Sequence, residues 1–191
     1  MPIRTIITLP DPRLRLVGAP VTAVDDSVRA LMDDMLETMY AAPGVGLAAI
    51  QIAVQQRVIV LDVAKRVDEA AAPEPLCLAN PEILWTSEEL STCQEGCLSI
   101  PDVFEDVERP ARVRARYLGR DGRAREIEAD SILATCLQHE IDHLNGVLFI
   151  DHISRLKRDL LMRKFRKNTK HGAPARKDSA GKDRAPASTG A

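Results

Sequence analysis

The sequence predicts one α+β domain, on three observations. Apolar residues recur at helical spacing in three separate stretches. Other stretches alternate apolar and polar residues or run β-branched, as strands do. The two kinds of segment do not alternate regularly, which sets aside a doubly wound sheet. A length of 191 residues suits one domain with a substantial core and a tail.

Taken in order, residues 9–20 hold Pro10, Pro12 and Pro20 and read as a loop. A helix is expected from about Ser27 to Tyr40, where Val28, Leu31, Met32, Met35 and Met39 share a face, with Asp26 or Ser27 as its cap. Pro43-Gly44-Val45-Gly46 breaks that pattern, and Arg57 to Val63 reads as a short strand. Arg112 to Leu118 places Val113, Ala115 and Tyr117 on one face and arginines on the other. Gly119 to Gly122 turns the chain, and Arg125 to Ala129 returns beside it. A second helix is expected from about Ser131 to Leu144, stopped by Asn145-Gly146, and a third from near Ser154 to about Lys167. From Asn168 the composition shifts to Lys, Ala, Pro, Ser, Gly and Asp, which bury too little apolar surface to order a segment. The expected division is a folded body, 1–167, and a flexible basic tail, 168–191. No internal repeat is visible.

Composition narrows the function classes. Aromatics are only 3% of the chain, so aliphatic residues must fill the core. No apolar run approaches the roughly 18 residues of a membrane span, and the N-terminus lacks a signal peptide's pattern, so no membrane role and a cytoplasmic location are expected. Cys77, Cys93, Cys97 and Cys136 then read as reduced thiols or metal ligands rather than disulfides. Residues 1–150 carry 14 basic and 24 acidic side chains, whereas residues 151–191 carry 12 and 4. An acidic body argues against sequence-specific binding in a nucleic-acid groove, while the basic end could touch phosphate.

The strongest local signal is His139-Glu140-Ile141-Asp142-His143. Histidines at i and i+4 lie on one helix face and can grip one metal ion, and the glutamate between them can handle the proton of an attacking water. The bland alternative is an exposed charged turn. It fits poorly with the surrounding Ile132, Leu133, Cys136, Leu137 and Leu144, which mark a buried helix where such polar groups are costly without partners. The zinc-protease extension HExxHxxGxxH fails, because Phe149 stands where the third histidine belongs.

The third ligand must therefore come from elsewhere. Glu95-Gly96-Cys97-Leu98-Ser99 offers a thiolate, with Gly96 leaving room for a close backbone approach, although Cys97 alone reads more readily as a buried free cysteine. Gly44-Val45-Gly46-Leu47-Ala48-Ala49-Ile50-Gln51 allows tight packing and offers the Gln51 amide, although alone it reads as a turn into a core strand. A structural zinc module built from Cys93, Cys97, His139 and His143 is a rival, but a closed four-ligand site has no use for Glu140 or Gln51.

In this order the three segments resemble the three motifs of the peptide deformylase family, and the resemblance spans roughly residues 1–167. It implies antiparallel β-sheets packed around a central helix that carries HExxH, with an N-terminal helix and a basic C-terminal one. It implies removal of the formyl group from the N-terminal formyl-methionine of newly made polypeptides, with release of formate. Cys97, His139 and His143 would be the metal ligands and Glu140 the acid–base. The Gln51 amide and the Leu98 backbone N–H would face the developing oxyanion. Val45, Gly46, Gly96, Ile132 and Cys136 would contact substrate. The implied metal is ferrous iron, Fe2+, with Zn2+ or another divalent ion able to substitute. Further implications are a bacterial cytoplasmic setting, docking on the ribosome near the tunnel exit through the basic final helix, and an ion pair between Asp142 and Arg109. One departure is Phe104, where many relatives carry a basic residue.

Overall fold

The structure is a computed structural model describing residues 3–170. Residues 171–191, most of the expected tail, lie outside the described residues. The remaining three tail positions, 168–170, belong to the final helix.

The chain is α+β, with two antiparallel sheets among the described residues. Five strands pair in the order β1 (Gly46–Ala48), β2 (Val58–Leu61), β3 (Leu76–Thr86), β6 (Arg112–Leu118) and β7 (Ala124–Asp130). The other two, β4 (Leu90–Cys97) and β5 (Ile100–Pro110), form a separate hairpin. The helices are α1 (Asp26–Ala41), a single turn α2 (Ala64–Val67), α3 (Ser131–Leu144) and α4 (Arg155–Lys170).

Helix α1 buries the predicted stripe Val28, Leu31, Met32, Met35 and Met39. Its cap is Asp25 rather than Asp26 or Ser27. Asp25 has the extended backbone a cap needs, and its carboxylate accepts the Val28 N–H at 3.0 Å. Strand β2 explains why its sequence is a continuous apolar run. Val58 and Val60 face the cluster of α1, while Ile59 and Leu61 face the cluster of α3. The sheet is thereby sandwiched between the two helices. A third cluster joins Ile100, Val103 and Val107 of β5 to Leu148, Phe149, Ile150 and Phe165, seating the first part of α4.

The β6–β7 hairpin forms as the alternation predicts, with Val113 and Ala115 buried and Arg112, Arg114 and Arg116 exposed. Helix α3 spans the predicted residues. Its stop is steric as well as conformational: Gly146 has φ +72°, and a Cβ there would meet the Arg15 carbonyl oxygen at 2.5 Å. Helix α4 begins after Ser154, whose hydroxyl accepts the Lys157 N–H at 3.3 Å.

Candidate active site

Three elements supply the chemistry-bearing side chains. Helix α3 presents Cys136, His139, Glu140 and His143, all buried. Strand β4 ends in Glu95, Gly96 and Cys97, and the chain turns through Leu98 and Ser99 into β5. The third element is β1 with the single helical turn Ala49–Ile52 after it, which carries Gln51.

Cys97, His139 and His143 converge, each offering one ligand atom, with those atoms all within 4.8 Å of one another. Cys97 Sγ lies 3.2 Å from His143 Nε2. His139 Nδ1 is 2.8 Å from Glu95 Oε2, which commits that nitrogen to the carboxylate and leaves Nε2 as the atom it can offer to the cluster. Cys93 is not in the cluster; it pairs with Val107 farther along the hairpin, so the four-ligand structural module does not form. Phe149 instead stacks against the His139 ring, with centroids 6.2 Å apart and planes at 22°.

The electrostatics separate the two histidines. Burial pulls His139 down, but hydrogen bonds to Cys97 and Glu95 outweigh it, and its pKa lies well above the usual imidazole value. His143 is driven well below that value by burial and by neighbouring His139. Glu140 is buried and pushed up to about 7, first by desolvation. Among the described residues, neither its Oε2 nor His143 Nδ1 has a hydrogen-bond partner. The unpartnered Glu140 oxygen, on the same helix as two of three side chains that could hold a metal ion, fits a site for a cation and its attendant water, whereas His143 Nδ1 lies on the far side of a ring that meets Cys97 through Nε2.

Packing explains the small residues. A Cβ on Gly46 would collide with the Glu140 carboxylate and lie 2.9 Å from Cys136 Sγ, so this glycine makes room for the helix side chains. A Cβ on Gly96 would meet the Phe104 ring at 2.5 Å, so the ring packs against the glycine's Cα across the hairpin. Gln51 is oriented by its own loop. Its Oε1 accepts the Ala48 N–H at 2.8 Å, so Nε2 must point toward Cys97 Sγ at 3.5 Å and Ser99 Oγ at 3.2 Å. Cys136 contacts the Val45 carbonyl at 3.5 Å, and burial pushes its thiol pKa well up. Half-buried Ile132 lies one helical turn before it.

The anticipated ion pair is present, with Arg109 Nη1 donating to Asp142 Oδ2 at 2.7 Å. Glu95 has a role that its motif alone does not reveal. Arg109 donates to it from Nε at 2.5 Å and Nη2 at 3.1 Å, so this buried carboxylate bridges Arg109 and His139. The usable signal was spacing: Glu95 and Cys97 are two apart on a strand and therefore share a face.

Three convergent side chains that could hold a metal ion, beside a buried carboxylate, match the layout of a metal-dependent hydrolase. The comparisons with known proteins agree. A family model described as polypeptide deformylase matches residues 3–159. A peptide deformylase of Methylocella silvestris is 72% identical over 170 residues, covering 89% of this chain and 87% of that relative. The crystal structure of peptide deformylase from Ehrlichia chaffeensis has a TM-score of 0.83 at 41% identity, covering 89% of this chain and 98% of that one. A class I type b peptide deformylase from Acinetobacter baumannii, solved with Met-Ala-Ser bound, has a TM-score of 0.74 at 36% identity, covering 80% and 99%. The chain belongs to the polypeptide deformylase family.

Proposed function

We propose that Cys97, His139 and His143 hold one divalent metal ion, and that the chain uses this site for its family's reaction, hydrolysis of the N-formyl group from N-formyl-methionyl polypeptides. The observation that carries the reading is the meeting of the three candidate ligand atoms beside a buried carboxylate, one oxygen of which has no hydrogen-bond partner among the described residues. Bound there, such an ion would supply Lewis-acid chemistry, lowering the pKa of a water and polarising the formyl carbonyl. Glu140, with a pKa near neutrality, takes the proton of the attacking water and passes it to the departing amine. The amide of Gln51, locked with its N–H toward Cys97, and the backbone N–H of Leu98 receive the charge that develops on the formyl oxygen. Formate and a free methionine N-terminus result.

Val45, Ile132 and Cys136 are proposed to line the methionine pocket, with Gly46 and Gly96 meeting the substrate backbone. Support comes from the Cys136 contact with the Val45 carbonyl, from Gly46 packing against Glu140 and Cys136, from the place of Ile132 one turn before Cys136, and from the Met-Ala-Ser bound to the Acinetobacter baumannii relative. Helix α3 would be the central element of this site, held between the large sheet and the β4–β5 hairpin. Ferrous iron is the proposed resident metal, with Zn2+ able to substitute.

Residues 1–167 would form the catalytic domain and act in the bacterial cytoplasm, where formylated chains are made. No helix among the described residues is long and apolar enough to cross a membrane. The basic face of α4 would dock on the ribosome near the tunnel exit. Formate release from a formyl-Met-Ala-Ser peptide, measured with metal analysis of the same sample, tests the activity. A metal-loaded preparation that released no formate would overturn it.

A further inference from the structure

We propose that His152 is a positioning residue for the metal site, fixing the orientation of His139 through Asp142, Arg109 and Glu95. The inference rests on the reading of His139 as a metal ligand. It starts at the buried end. His139 is held by one carboxylate oxygen, Glu95 Oε2, at 2.8 Å. Where Glu95 points is decided by Arg109, which grips both of its oxygens, at 2.5 and 3.1 Å. Arg109 is itself 4% exposed, and its remaining amino group is tied down by Asp142 Oδ2 at 2.7 Å. That same oxygen also receives His152 Nε2 at 2.7 Å. The Asp142 carboxylate is thus clamped from two sides, and His152, whose side chain is 33% exposed, is where the chain of contacts reaches solvent.

A second observation points the same way. His152 ends the helical turn Phe149–Asp151, and its N–H bonds back to the Phe149 carbonyl at 3.1 Å. Phe149 is the residue whose ring stacks on His139. One short segment therefore touches the ligand by two routes, through a ring face and through the ionic chain. Without His152, the Asp142 carboxylate can swing outward, Arg109 loses a fixed anchor, and Glu95 holds His139 less firmly. Partners that directly orient a metal-bound histidine typically change metal affinity by about 10- to 100-fold, so a residue acting through three intermediaries should do less.

The test compares zinc-loaded wild type with His152→Phe, which keeps a ring but loses the N–H, and His152→Gln, which keeps an N–H donor near the same place. Zinc transfer to a chelator, kcat and KM on a formyl-methionyl peptide, and thermal melting are measured on each. His152→Phe should release zinc about fivefold faster and lose a few-fold in kcat with KM unchanged. His152→Gln should release zinc within about twofold of wild type, whatever shift in melting the two variants share. Wild-type release from His152→Phe, or equal acceleration in both variants, would overturn the proposal. If the phenylalanine prevents folding, His152→Ala leaves nothing to mispack and reads the same loss. His139→Ala separates the two readings. If it keeps its zinc, the ligand assignment fails and takes the relay with it. If it loses zinc while His152→Phe behaves as wild type, only the relay fails.

Discussion

Helices α3 and α4 are similar in length, 14 and 16 residues, and use polar side chains in opposite ways. In α3, Gln138, His139, Glu140 and His143 are all under 9% exposed. In α4, the charged residues Arg155, Lys157, Arg163, Lys164 and Lys167 lie in solvent, and even Leu156 and Leu160 are 72% and 56% exposed. A polar group buried without a partner costs several kcal/mol, about 2–7 by transfer measurements, whereas a solvated charge costs almost nothing. The evidential weight of a residue follows that cost. Each buried polar group of α3 calls for a reason: Gln138 donates to the Pro110 and Ala134 carbonyls, and the proposed site supplies the reason for His139, Glu140 and His143. The charges of α4 fit docking and mere solubility equally well.

The largest effects should therefore lie in α3 and its partners. Replacing Cys97, His139 or His143 by Ala should remove bound metal and turnover together, read by metal analysis and formate release. Glu140→Ala should keep the metal and lose about 10²- to 10⁴-fold in kcat. A Cys97→Ala protein that bound metal normally, set against a Cys93→Ala protein that did not, would show the ligand set to be wrong.

Arg109 tests whether burial really sets the scale. Arg109→Met would strand two carboxylates, Glu95 and Asp142, that now share one guanidinium. The expected loss is about 3–5 kcal/mol in urea unfolding of the metal-free protein. A loss below 1 kcal/mol would mean that water reaches these groups and that the contrast with α4 is overstated.

Glu140 makes the same comparison through pH. Its pKa rises from 4.5 to about 7 on folding, so in the metal-free protein the folded state resists its ionisation. Below pH 4.5 the carboxyl is neutral whether folded or not, and the effect is nil. Between 4.5 and 7 the unfolded chain ionises first, and stability from this group is lost as pH rises; above 7 the loss is complete. Glu140→Gln does not titrate. It should match the parent at low pH and exceed it by about 3 kcal/mol at pH 8, both measured without metal. Parallel curves for the two proteins across this range would contradict the shift.

Legibility in the sequence followed the same physics. The β6–β7 hairpin and α3 were readable because each buries an apolar set at its own period. The β4–β5 hairpin was not, because its inner face carries the ion pair of Glu95 and Arg109 and the sequence there reads as polar. Strand β3 was hidden by Pro81 and by Asn80, which adopts φ 49° and bonds both backbone groups of Val21. At the site, the spacing of His139 and His143 was local and therefore visible. Tying Cys97 and Gln51 to them took the three motifs together, and the role of Glu95 depended on partners far away in sequence.

The smallest expected effect on catalysis belongs to α4, and there a null result on turnover is the informative one. Cutting the chain after Ser154 would be a poor test. It removes Phe165, which is 3% exposed and part of the third core cluster, and so confounds docking with folding. Replacing Arg155, Arg163, Lys164 and Lys167 by Gln leaves the apolar contacts intact and changes only charge. These side chains are exposed, so stability should move by no more than about 0.5 kcal/mol. Formate release from a short peptide should be unchanged, since no described residue of α4 joins the candidate metal cluster. Ribosome binding should behave differently if the basic face meets ribosomal RNA. Each neutralised phosphate releases counterions, and removing four cations should flatten the slope of log affinity against log salt by roughly 3. Co-sedimentation with ribosomes, followed from low to physiological salt, reads that slope directly. A quadruple variant that co-sedimented like wild type at every salt concentration would remove α4 as the docking element and leave its charges as solvated surface.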